Sequence, residues 1–185
     1  MRRRRLLATV GTALGATAGC AGQGQTDGQP FSVSFPGDER LPTRYTCDGA
    51  GESPLITVES VPEPVEAVAV TAEANRDAII EPVLWTLWNV PADRREIPAG
   101  LPRTASLDSL GGARQGRSGG DAPGYAAPCP ARGATQDYRF QVSALDSPLD
   151  LPGGTANDDA LDAISAATVA SQRFVRTYER PADGE

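Results

Sequence analysis

The sequence predicts a mainly β protein, on three observations. Of its 185 residues, 20 are Gly and 16 are Pro, enough to divide the chain into short segments joined by turns. Two stretches alternate with the period of a strand that buries one face. They are Phe31-Ser32-Val33-Ser34-Phe35, and the set Tyr138, Phe140, Val142 and Ala144 placed between Asp137, Arg139, Gln141 and Ser143. Two more, Val65 to Ala72 and Val83 to Val90, are apolar runs of strand length, as expected of strands central in a sheet. Aromatic content is 5% against 39% hydrophobic, so the core must rest on Val, Ile, Leu and Ala.

Taken in order, the chain begins with an address. Arg2-Arg3-Arg4-Arg5 precedes the mild apolar run Leu6 to Ala18, too short for a stable membrane span. Arg3-Arg4-Arg5-Leu6-Leu7 resembles a twin-arginine export signal. Thr17-Ala18-Gly19-Cys20 resembles a lipobox, in which small residues admit a signal peptidase and the Cys20 thiol receives the lipid. Residues 1–19 are therefore expected to be a lipoprotein signal, and 20–30 the lipidated Cys with a flexible, polar tether. The alternative is a simple secretory signal with Cys20 incidental.

The folded domain is expected over 31–180, and 181–185 as a tail. Pro36-Gly37-Asp38 ends the first strand, and Cys47-Asp48-Gly49 marks a turn. Ser53 to Val58 reads as a strand, Val61 to Pro64 as a rigid turn, and Glu73 to Glu81 as a loop. Val83 to Val90 is stopped by Pro91. Ile97 to Gly120 holds 6 Gly and few large apolar groups, and reads as a long surface excursion. Gly124 to Gly133 is a Pro- and Gly-stiffened loop that leads into the alternating strand. Asn157 to Ala167 is a helix, capped by Asn157 or Asp158, with Leu161, Ile164 and Thr168 on one face. Phe174 to Tyr178 closes the domain as a strand.

Charge and composition narrow the function classes. All 17 basic residues are Arg, against 24 acids, for a net charge of −7. Without the four signal Arg the balance is 13 against 24, or −11. No basic footprint for nucleic acid is present. An acidic, Lys-free surface reads as adaptation to high salt; compositional drift is the plain alternative. The chain has no His. That removes Ser-His-Asp and Cys-His mechanisms and leaves a catalytic zinc only carboxylates and thiols. No metal, cofactor or catalytic residue is assigned.

Five blocks, in order, resemble the phosphatidylethanolamine-binding protein family, in particular its bacterial and archaeal Raf-kinase-inhibitor-like branch. They are Tyr45-Thr46-Cys47-Asp48-Gly49 with Ser53-Pro54-Leu55, and Val61-Pro62 with the strand to Ala72. Then come Leu84-Trp85 with Trp88-Asn89-Val90-Pro91-Ala92, and Gly124-Tyr125, Pro128-Cys129-Pro130, Tyr138-Arg139-Phe140 and Ala144-Leu145-Asp146. The last is Ala163-Ile164 with Thr177-Tyr178-Glu179-Arg180. The resemblance implies an antiparallel β-sandwich with a few peripheral helices, an anion-binding pocket and no shared catalytic chemistry. It places Glu73, Asn75, Leu84, Trp85, Tyr125, Pro128 and Gln136 at the pocket. It also brings the loops of Cys47 and Cys129 near that pocket, where the two either form a disulfide or stay as buried thiols.

The pocket positions depart from the family pattern. Glu73-Ala74-Asn75 stands where the family has Asp-Pro-Asp, Leu84 and Gln136 stand where it has His, Ala167 falls at a third His, and Ala126-Ala127 replace Gly-Gly. Lost ring N–H donors weaken anion binding, and Leu84 makes one wall apolar. Tyr125 is read as pocket wall or as loop packing, and Arg139 as an ion-pair partner or a ligand group. The expected function is that of an exported, lipid-anchored binding protein, held to the outer face of the cytoplasmic membrane by its lipid alone. Its pocket has altered or lost phosphate recognition. Its partner is an unknown small ligand or an envelope protein. The alternatives are a non-catalytic envelope interaction protein with a vestigial pocket, and a His-independent hydrolase using Glu73 or Asp137 as base.

Overall fold

A computed structural model of the chain describes residues 30–75, 82–118 and 122–182. The assignments for the signal, Cys20 and most of the tether lie outside the described residues. Among these residues the strands are β1 (Ser32–Ser34), β2 (Ile56–Ser60), β3 (Ala67–Asn75), β4 (Val83–Pro91), β5 (Glu96–Ile97), β6 (Ser106–Leu107), β7 (Ala113–Gln115), β8 (Thr135–Leu145) and β9 (Thr168–Glu179), with α1 (Asn157–Ala167) before the last. They make a three-stranded sheet, β1-β2-β5, and a six-stranded sheet, β6-β7-β4-β3-β8-β9. All ladders between these strands are antiparallel.

The sheets close on one another as a sandwich, as the resemblance implies. Val33, Phe35, Ile56 and Ile97 from the smaller layer meet Val68, Val70, Ala72, Leu87, Phe140 and Val142 from the larger. The other face of the large sheet is partly covered by α1, where Ala160 and Ile164 pack on Ala67, Ala69, Trp88 and Leu145. Strand β3 is thus buried on both faces along its first half, which is why it reads as an unbroken apolar run. Trp85 and Trp88 point to opposite sides, Trp85 into the sandwich core and Trp88 under the helix.

Several elements depart from the expectation. The 97–120 excursion is not bare loop: it carries β6 and β7, and β7 pairs with Leu87 and Trp88 at one flank of the large sheet. Strands of two or three residues are too short to display a period. Strand β3 continues to Asn75, two residues past the expected loop start at Glu73, because Glu73 pairs across the ladder with Arg139. Strand β9 starts immediately after α1 and spans twelve residues rather than five. It is an edge strand whose exposed positions mix Val169 and Val175 with Ser171, Arg173 and Glu179, so its first half lacks an apolar face legible in sequence.

The helix bounds agree, but its cap does not. Ala156 is the N-cap, with no side-chain hydrogen bond to the helix. Asn157 is buried and turned into the sheet instead. Its Oδ1 accepts from Thr86 Oγ1 at 2.8 Å and its Nδ2 donates to the Val83 carbonyl at 3.1 Å. On the helix itself Ala160 and Ile164 are the buried apolar positions, while Leu161 is only partly covered.

Candidate functional site

At one end of the sandwich, three loops converge on the starts of β4 and β8 and the end of β9. The Gly124–Pro130 loop lies along β4: the Ala126 N–H donates to the Leu84 carbonyl at 2.9 Å. Tyr125 sets its ring edge-on to Trp85, with centroids 5.5 Å apart. Its hydroxyl, buried, donates to the Tyr45 carbonyl at 2.9 Å. Tyr125 thus packs the loop onto Trp85 and the Tyr45 segment. Gly124 enables the turn into this loop: its φ is +108, and a Cβ there would meet Arg103 Cα at 3.2 Å and Gln115 Nε2 at 3.3 Å.

The loop after Tyr45 is tied to the same place. The Cys47 N–H donates to the Pro128 carbonyl at 3.1 Å, and Cys47 and Cys129 are joined by a disulfide. Beside it, Asp48 accepts from the Tyr178 hydroxyl at 2.6 Å and from Arg180 Nε at 3.1 Å. Arg180 Nη1 also donates to the Pro130 carbonyl at 2.9 Å. Gln136 stands opposite Tyr178 in the β8–β9 register. Leu84, Trp85, Tyr125, Pro128 and Gln136 are thus gathered at one end of the fold.

Electrostatics follow the same contacts. The Tyr178 hydrogen bond holds the Asp48 carboxyl below the ordinary carboxylate range, with Arg180 adding to it against some desolvation. Burial, then the bond to Asp48, pushes Tyr178 up. Burial pushes Tyr125 far above the usual tyrosine range, so it is a neutral hydrogen-bond donor at every physiological pH.

A residue that sequence reasoning missed supports Trp85. Gln115, on β7, is fully buried; its Oε1 accepts from Trp85 Nε1 at 2.9 Å. Its Nε2 donates to the carbonyls of Pro102 and Thr104 at 2.9 and 3.0 Å. The carboxamide fixes the indole that Tyr125 abuts. A single Gln inside a Gly-rich segment carries no pattern that would reveal this.

A sequence model of the phosphatidylethanolamine-binding protein family matches residues 31–179. The chain belongs to that family. A UPF0098 protein of Pyrococcus abyssi is 29% identical over 163 residues, covering 88% of this chain and 91% of the relative. A Mycobacterium tuberculosis protein described as a candidate lipoprotein, LppC, is 29% identical over 155 residues, covering 82% and 73%. Among solved structures, Escherichia coli YbcL, described as a member of the mammalian PEBP family, superposes with a TM-score of 0.72 at 25% identity, covering 82% of this chain and 99% of that one.

Not every pocket position assigned from the phosphatidylethanolamine-binding family pattern reaches this corner. Ala72 and Ala74 face the sandwich core, so Glu73 between them faces the other side of the sheet. There its carboxylate pairs with Arg139 at 2.9 Å. Asn75 is paired in register with Asp137 on β8. The Asp137 carboxylate accepts from the Thr177 hydroxyl at 2.6 Å. The two carboxylates considered as bases are therefore each engaged, and Cys47 and Cys129 are bonded to each other. Among the described residues no group of three His, Cys, Asp or Glu is placed to hold a metal.

Proposed function

We propose that this protein is a non-catalytic binding protein, exported and lipid-anchored through Cys20, whose pocket favours a neutral or weakly polar ligand over phosphate. The observation that carries the reading is the make-up of the converging corner. Leu84 packs beside Trp85 and Tyr125, and Ala126-Ala127 line the adjoining loop, while of the cations near Asp48, Arg180 is committed to Asp48 and Pro130 and the charge of Arg132 also bears on Asp48. A phosphate needs donors or positive charge that remain available to it. Export is supported by the Arg2–Arg5 and Thr17–Cys20 segments, by the disulfide, which persists in oxidising compartments, and by the relative described as a candidate lipoprotein.

Calorimetric titration with inorganic phosphate and phosphoethanolamine tests the pocket. Weak or undetectable binding is expected, and tight, salt-resistant phosphate binding would overturn the reading. Anchoring is tested by Cys20→Ser, which should release the protein from the membrane fraction. A second reading, an envelope interaction protein with a vestigial pocket, is favoured by Val169 and Val175. They stand 56% and 47% exposed on the edge strand β9. A cross-linked envelope partner lost on Val175→Asp would favour it.

A further inference from the structure

On the face of the large sheet away from the sandwich core, α1 covers one half only. Past it, the outward residues of the same strands turn polar. Thr71 and Glu73 lie on β3, Arg139 and Gln141 on β8, and Arg173 on β9. Register sets Glu73 opposite Arg139 and Gln141 opposite Arg173. Where this polar half meets the flank of α1, the surface opens into a cleft of about 420 Å³, bounded on the helix side by Leu161, Asp162 and Ser165. That volume suits a small molecule.

The charges of the cleft divide into two sets. Glu73 and Arg139 neutralise each other at 2.9 Å, with side chains only 13% and 25% exposed. Arg173, from the sheet, donates from Nε and Nη2 to Gln141 Oε1 at 3.3 and 3.1 Å. Asp162 comes from the helix. Among the described residues neither Arg173 nor Asp162 has an ion-pair partner. One uncompensated cation and one uncompensated anion therefore lie on two sides of a cleft whose base is a closed ion pair. A simple anion would meet Arg173 but also the carboxylate of Asp162, and a simple cation the reverse. A molecule bearing both charges satisfies both.

We infer that this cleft is a second binding site, for a small zwitterion of the amino-acid class that sets its carboxylate on Arg173 and its ammonium on Asp162. Gln141, a neutral acceptor, takes the Nε side of the guanidinium and leaves its charge uncompensated, so the outer Nη edge suits a carboxylate, and Leu161 offers apolar surface to a short side chain. The site lies on the other face of the sheet from the Leu84–Gln136 corner, so it goes beyond the function proposed above and does not depend on it.

The test is a titration of the full-length, ¹⁵N-labelled chain with L-alanine, alongside acetate, ethylammonium and phosphoethanolamine. L-alanine should shift the amides of Thr71, Gln141 and Ser165 saturably, while acetate and ethylammonium at equal concentration should not. Arg173→Gln and Asp162→Asn should each weaken L-alanine binding about tenfold or more. Both residues are exposed, so melting temperature without ligand should stay unchanged, which separates lost binding from lost folding. The proposal is overturned by no saturable shift, by shifts mapping to Leu84 and Gln136, or by equal response to acetate. It is also overturned by binding of phosphoethanolamine but not L-alanine, or by variants that bind as the native chain does.

Discussion

Gln115 accepts from the Trp85 indole with its Oε1 and donates from its Nε2 to two loop carbonyls. Gln115→Met keeps the shape and strands the buried Trp85 indole N–H, while the carbonyls of Pro102 and Thr104, on exposed residues, turn to water. One stranded buried group costs about 1–3 kcal/mol, so urea unfolding should show a loss of that size. Asp48 offers a pH test. Its folded pKa is depressed below 3.8, so its contribution to stability is present above that value and is lost as pH falls through the lower, folded one. Asp48→Asn should therefore lower the melting temperature at pH 7, and the gap from the native chain should close below about pH 4. Trp88 contrasts with Trp85, since its Nε1 meets no acceptor among the described residues.

Helix α1 is held by its sheet contacts rather than by a cap. Asn157 looks in sequence like a capping residue, because Asn before an acidic, apolar-spaced run is the usual signature. In the fold it bridges instead to Thr86 and Val83, residues 71 and 74 positions earlier. Gly116 makes room for this bridge. A Cβ there would sit 2.2 Å from Thr86 Oγ1 and 2.4 Å from Asn157 Oδ1. Asn157→Ala should not lower the helicity of an isolated α1 peptide, since Ala is the better helix former, yet should cost the folded protein about 1–3 kcal/mol in denaturant unfolding. Gly116→Ala should destabilise by a similar 1–3 kcal/mol through overpacking at the same contact. Strand β9 makes the companion case. Its inward Phe174, Arg176 and Tyr178 are legible by alternation, but its extension back to Thr168 is set by pairing with β8.

Across the whole molecule, the Cys47–Cys129 disulfide ties residues 82 positions apart and holds two loops of the candidate site together. By chain entropy, closing a loop of that size is worth about 4 kcal/mol. Reduction with dithiothreitol should lower the melting temperature of the native chain markedly. It should leave the Cys47→Ser/Cys129→Ser variant, already lower, unmoved. The sandwich divides the site residues by face. Leu84, Trp85, Tyr125 and Gln136 belong to the core side, and Glu73 to the helix side, a partition that leaves Glu73 with Arg139.

Alternation and apolar runs in the linear chain were enough to locate β3, β4, β8 and α1, because each buries a long, regular face and the solvent dictates which residues may lie there. The ordered motif blocks were enough to name the family and its sandwich. The short strands β6 and β7, the role of Gln115, the turning of Asn157 away from its helix end and the side of the sheet taken by Glu73 were settled only in three dimensions. In each case the deciding partner is distant in sequence: Trp85 for Gln115, Thr86 for Asn157, Arg139 for Glu73. A local pattern records which side chains must avoid water, whereas the choice of polar partner depends on which strands become neighbours.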